Sequence, residues 1–262
     1  YRVGPLCHYA MRRRHASNRS PKPRSRTVRL GALTVVVLML AGLVSALGFG
    51  RAWVARTELP PLIPVTSAEV LDSEGRLLRA FTVEDGRWRL AADPARVDPR
   101  LIDMLIAYED KRFYAHHGVD PLAMLRAIAQ AVRHGEIISG GSTLTMQVAR
   151  LLEGCGTGSW RGKLRQIRVA LALEAQLSKA DILSLYLTLA PYGGNIEGVR
   201  AAARIWFDKE PERLTPAQAA LLVVLPQAPE SRRPDRHPDA ARAARAAALA
   251  RFVRTGIITQ DD

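Results

Sequence analysis

The chain has 262 residues, 48% of them hydrophobic and 24% charged, which excludes disorder over most of its length and allows one large domain or two small ones. Its 38 Lys+Arg against 25 Asp+Glu give a net charge of +13, yet nine of the basic residues and no acidic one fall within residues 1–29. The excess sits in a tail and not on a folded face, which argues against a nucleic-acid-binding domain, and two cysteines with no CxxC or HExxH spacing exclude a disulfide scaffold and a structural zinc site.

Residues 1–26 are rich in Arg, Ser and Pro and read as disordered, with Met11 a plausible start. Leu30 to Gly50 is a run of 21 residues without a charge. As a helix it reaches about 30 Å, the thickness of a bilayer's hydrocarbon core. The positive-inside rule then puts 1–29 in the cytoplasm as a basic tail, 30–50 in the membrane as a single anchor, and the rest outside. A cleaved signal peptide is the competing reading, since Ser45–Gly48 offers small residues, but the apolar run exceeds the usual signal length of about 7–15 residues. Cys7 and Cys155 then lie on opposite sides of the membrane and cannot pair.

Residues 51–64 read as a linker, stiffened by Pro60, Pro61 and Pro64. Ala68–Leu71 and Leu77–Phe81, around Asp72-Ser73-Glu74-Gly75, predict a short β-hairpin. From Asp98 onward the signals are helical. Asp98-Pro99 and Asp120-Pro121 each place a cap before a proline at the first helical position. Ser178…Asp181 and Thr215…Gln218 have capping-box spacing, and Pro191 and Pro226 end the helices before them. Leu164, Ile167, Leu171 and Leu177 recur on one helical face, and Ala240–Ala250 predicts a further helix. The expected fold is mainly α, one domain over 65–256, with 257–262 a C-terminal end that leaves open whether a longer protein continues.

Three clusters carry chemistry. In Glu109–Gly118, Glu109 follows Leu101, Ile102, Leu105 and Ile106 on a half-buried helix; desolvation there suits a general acid or base. The bland alternative is a pair of solvated carboxylates, Glu109 and Asp110, beside Lys111 and Arg112. His116 and His117 are adjacent and point apart, a poor metal pair. The glycine-rich connector His134–Ser142 reads as a mobile loop. It leads into Gly141-Ser142-Thr143-Leu144-Thr145-Met146-Gln147, with Arg150 one turn beyond. Free amides at a helix start, hydroxyls and an arginine suit a phosphate or pyrophosphate, although plain capping by Ser142 explains the same residues. Arg161, Lys163, Arg165 and Arg168 open another helix against its dipole, which suggests an anionic partner or a basic face near anionic lipid.

In order, these clusters resemble the peptidoglycan glycosyltransferase domain of glycosyltransferase family 51, found in class A penicillin-binding proteins. Glu109, Asp110, Phe113, His116 and Gly118 match EDxxFxxHxG. Gly141–Gln147 matches GSTxTQQ except at Met146. Lys163 and Gln166 correspond to RKxxE, from which Gly162 and Gln166 depart. Ile182–Thr188, with Tyr192-Gly193-Gly194 and Gly198-Val199, resembles the fourth motif, and Leu214–Pro229 the fifth. The departures STLTMQ, GKLRQ and APYGG are most similar to the 1C subgroup, whose members continue into a transpeptidase domain; no SxxK pattern occurs here.

The resemblance implies a lysozyme-like fold with a small membrane-facing subdomain around Pro121–Arg133. It implies that lipid II is polymerised into β-1,4 glycan strands with inversion and release of undecaprenyl pyrophosphate. Glu109 is then the base, and Ser142, Thr143, Thr145, Gln147, Arg150, Lys163, Arg165 and Gln166 bind substrate or pyrophosphate. Asp110, Phe113, His116, Gly118, Gly141, Tyr186 and Gly194 are expected to be structural. No protein-held metal is expected; Mg2+ or Mn2+ arriving with the pyrophosphate is the one cofactor left open. Expected partners are lipid II, the growing glycan strand and the bilayer of the bacterial plasma membrane, with a separate transpeptidase or other cell-wall synthesis protein left open. Two rivals remain: an inactive lipid II binder, favoured by Gly162 and Gln166, and a lysozyme-like hydrolase using Glu174 or Glu197 as a second carboxylate.

Overall fold

A computed structural model describes residues 26–134, 141–154 and 159–261. The basic tail up to residue 25, Cys7, Cys155 and the connector at 135–140 lie outside the described residues. The chain divides into two compact units, Tyr1–Arg51 and Ala52–Asp262.

Helix α1 runs Arg26–Ala55, further in both directions than the expected anchor, because no proline interrupts it before Pro60. Within it Thr34–Ala55, 22 residues, is long and apolar enough to cross a membrane by length and composition. Leu38, Met39, Val44 and Phe49 are all exposed along it.

The second unit is mainly helical. Strands β1 (Glu69–Leu71) and β2 (Leu77–Ala80) form the expected antiparallel hairpin, with a register irregularity between Val70 and Leu71. A second ladder was not foreseen: β3 (Trp88–Arg89) pairs in parallel with β4 (Ile196–Glu197). Glu197 fixes this pairing, accepting from Arg89 Nε at 2.7 Å and from Arg87.

The helices are α2 (Pro99–Glu109), α3 (Pro121–His134), α4 (Leu144–Glu153), α5 (Trp160–Gln176), α6 (Lys179–Leu189), α7 (Val199–Phe207), α8 (Pro216–Val224) and α9 (Pro238–Arg254). Their starts are local chemistry. Asp98 accepts from the Arg100 amide ahead of α2, Asp120 from the Leu122 and Ala123 amides in α3, and full capping boxes open α6 and α8. Helix α8 is buried from Ala219 to Val224 and packs on both α2 and α9, while α4 packs on α5 and α6. The expected apolar face of α5 is displaced. Leu164 is exposed, and the buried positions are Gln166, Val169, Ala170, Ala172 and Leu173. Small residues win there because another backbone comes close: a Cβ at Gly118 would lie 2.7 Å from the Ala170 carbonyl oxygen.

Candidate active site

Helix α2 buries Leu101 and Leu105, and Glu109 continues that four-residue spacing to the last position of the helix. The helix stops because Asp110 leaves helical geometry, at φ −154° and ψ 77°. Glu109 is thus half-buried at the wall of a cleft of about 600 Å3. Burial pushes its carboxyl above the ordinary glutamate range; hydrogen bonds from Gln147 and Gln227, and the charges of Arg251 and Arg150, oppose the shift without cancelling it. Gln147 Nε2 donates to Oε2 and Gln227 Nε2 to Oε1, both at 2.9 Å.

The adjacent Asp110 has a different environment. It is buried, its Oδ2 lies 2.9 Å from His116 Nε2, and it accepts from the Leu144 amide at 2.9 Å. It therefore ties the turn after α2 to the start of α4. Phe113 is fully buried with the Lys179 ammonium 4.5 Å above its ring. Gly118 has φ +88° and its carbonyl accepts from Thr143 Oγ1 at 2.6 Å.

This arrangement corrects the reading of the α4 start as an open anion cradle. The Leu144 amide is taken by Asp110 and the Met146 amide by Thr143 Oγ1. Thr143, not Ser142, is the cap. Ser142 is released to face Lys163, whose Nζ donates to Ser142 Oγ at 2.6 Å and to Gln166 Oε1 at 2.9 Å. Gln166, 4% exposed, donates Nε2 to the Met146 carbonyl at 2.5 Å. A glutamate there would aim an acceptor at an acceptor, so the amide fits this local structure. Burial, then the nearby Arg150, push Lys163 below the ordinary lysine range. Neither Lys163 nor Arg150 has a carboxylate partner among the described residues.

The cleft brings together Glu109, Ser142, Thr143, Gln147, Arg150, Lys163 and Gln166. Two expected binding residues do not reach it. Thr145 is fully buried and donates to Glu174 Oε1 at 2.7 Å; Arg165 pairs with Glu153 at 2.7 Å. Gly141 packs 3.3 Å from Ala127, measured from an ideal Cβ, and Gly194 donates its amide to Glu230 at 2.7 Å. Tyr186 is buried on α6, and its hydroxyl has no hydrogen-bond partner among the described residues. The sequence reading missed Arg126, Gln227 and Arg251, all of which line the cleft. Gln227 falls within the fifth motif and was findable; Arg251, in an alanine-rich helix, carries no signal of its own.

Glu174 accepts from Lys179 at 2.5 Å and Glu197 is held by Arg87 and Arg89, so neither stands in the cleft as a second carboxylate. The other acids lining it, Asp110 and Asp120, are buried and engaged in turns and caps. Among the described residues no group of three potential ligands is placed to hold a metal ion. One end of the cleft is cationic, lined by Lys163 and Arg150, which repel a metal cation, so these residues do not fit a protein-held Mg2+ or Mn2+.

Comparison with known proteins agrees with the motifs. The family model described as Transglycosylase matches residues 74–253. Penicillin-binding protein 1C of Escherichia coli K12 is 45% identical over 215 residues, 81% of this chain and 28% of that protein. Penicillin-binding protein 1A of Aquifex aeolicus is 32% identical over 233 residues, 88% of this chain and 32% of that protein. The chain thus spans about a third or less of the length of these relatives. A crystal structure of penicillin-binding protein 1A from Haemophilus influenzae aligns with a TM-score of 0.39 and 20% identity, over 78% of this chain and 20% of that one. The helical domain, the ordered motifs and these matches together define a transglycosylase domain. The chain belongs to the transglycosylase family.

Proposed function

We propose that this chain is a peptidoglycan glycosyltransferase that polymerises lipid II. The observation that carries the reading is one cleft holding a carboxylate of raised proton affinity, Glu109, beside two cations without carboxylate partners, Arg150 and Lys163. Glu109 takes the proton from the acceptor sugar's 4-hydroxyl as that oxygen attacks the donor's anomeric carbon. The bond from that carbon to the pyrophosphate oxygen breaks, and its electron pair leaves with undecaprenyl pyrophosphate. Attack opposite the leaving group turns the α linkage into β. Lys163 and Arg150 stabilise the charge that develops on the departing pyrophosphate, with Ser142 and Gln166 orienting Lys163. A hydrolase has no use for such cations, since its leaving group is neutral. No step is assigned to Mg2+ or Mn2+.

In the same reading, residues 1–29 are cytoplasmic, 30–50 anchor the chain in the plasma membrane, 51–64 link, and 65–256 form the catalytic domain on the outer side. Tethering suits substrates that are themselves held in one leaflet. The test is incubation of the purified chain in detergent with lipid II, followed by separation of products by length. Glycan ladders cleavable by a muramidase, with release of the lipid pyrophosphate, are expected. Lipid II binding without ladders would move the assignment to an inactive binder.

A further inference from the structure

Glu109 is gripped by two carboxamides, and only one of them, Gln147, was expected among the site residues. The other, Gln227, ends the 3₁₀ turn Leu225–Gln227 that follows α8. A carboxamide can offer either its oxygen or its nitrogen to a neighbour, and the remaining contacts of Gln227 decide which. Its Oε1 accepts from the Tyr108 hydroxyl at 3.4 Å and from Arg232 Nη1 at 3.5 Å, and Arg232 is itself held by the Val224 carbonyl at 2.7 Å. Donors on the oxygen side leave the nitrogen facing the base. Tyr108 is kept in place by the Arg251 guanidinium, 4.6 Å above its ring, and by an edge contact to Phe252. These long contacts favour the orientation that turns the donor toward Glu109.

The other charged or titratable groups that bear on Glu109 are Arg150 from α4, Arg251 from α9 and the buried Tyr186 from α6. The two arginines act at a distance, whereas Gln227 touches the carboxylate. With one amide donor on each oxygen, each oxygen keeps a free lone pair for a sugar hydroxyl. The grip thus orients the base without occupying it.

We propose that Gln227 is a positioning residue for Glu109, an amide donor oriented by Tyr108 and Arg232 that aims one carboxylate oxygen. This rests on the assignment of Glu109 as base. An N–H bond to a carboxylate opposes the effect of burial, so losing it raises the pH at which Glu109 becomes a base.

The test is the pH dependence of lipid II polymerisation by the full chain in detergent, wild type beside Gln227→Met. Gln227 is exposed, so the variant should fold, melting slightly below the wild type at neutral pH because Glu109 loses a donor to its charged form. The expected result is a roughly tenfold lower kcat near neutrality, an unchanged KM, and an acid limb displaced upward by about half to one pH unit. Gln227→Glu, which sets a like charge beside Glu109, should displace the limb further. An unmoved acid limb overturns the proposal, whether KM is unchanged or raised; a raised KM would make Gln227 a substrate contact. Failure of the underlying reading looks different: a Glu109→Gln enzyme as active as wild type removes the base, whereas a normal profile for Gln227→Met in an enzyme that needs Glu109 removes only the clamp.

Discussion

The environment that makes Glu109 a base also makes it a burden on the fold. Its carboxyl binds a proton more tightly in the native cleft than in the unfolded chain, because burial disfavours the charge. Between the two pKa values the native state holds more protons, so stability falls as pH rises through that window, and the penalty is complete above the native value. Glu109→Gln removes it. The variant should melt roughly 1–3 °C above wild type at pH 7–8, and the gap should close as pH drops below the ordinary glutamate range. Calorimetry across that range checks the sign; a gap that widens toward low pH would contradict it. At this scale the sequence was a fair guide to Glu109, which follows an apolar four-residue spacing. It was a poor guide to Thr145 and Arg165, because a motif names residue types and not their partners. Glu174 takes the Thr145 hydroxyl and Glu153 takes Arg165.

Between elements, the joint of the site is the contact between the Gly118 turn and helices α4 and α5. Gly118 combines φ +88° with a carbonyl that accepts from Thr143, and a methyl group there would meet the Ala170 backbone. Gly118→Ala is expected to destabilise by roughly 2–4 kcal/mol in urea unfolding, from strain and overlap together. Gly256→Ala shares the left-handed backbone, φ +71°, but meets nothing within 4 Å, and should cost only about 1 kcal/mol. Equal losses would deny the packing role. Helix starts were readable because a cap is a local arrangement of three or four residues, as at Asp98, Ser178 and Thr215. The buried face of α5 was not, because alanines at 170 and 172 carry little hydropathy signal, and Ala170 packs against Gly118, far away in the chain.

For the whole molecule, the mainly α character and the long apolar helix follow from composition and periodicity. The parallel pairing of Trp88–Arg89 with Ile196–Glu197 does not. Two residues give no period, and the bond that fixes them joins arginines to a carboxylate more than a hundred positions away. The cleft has the same character. Its base comes from α2, its cations from α3, α4, α5 and α9 and the turn after α2, and its second amide from the turn after α8. Order along the chain suggests the family; only folding shows that Arg251 and Gln227 share the cleft with Glu109.

The most direct measurement is glycan polymerisation from lipid II by the detergent-solubilised wild type and by Glu109→Gln, with lipid II affinity measured on both. Ladders are expected from the wild type, with a rate lower by about a hundredfold or more for the variant and similar affinity for each. Ladders of equal length and rate from both proteins would contradict the role of Glu109 as base.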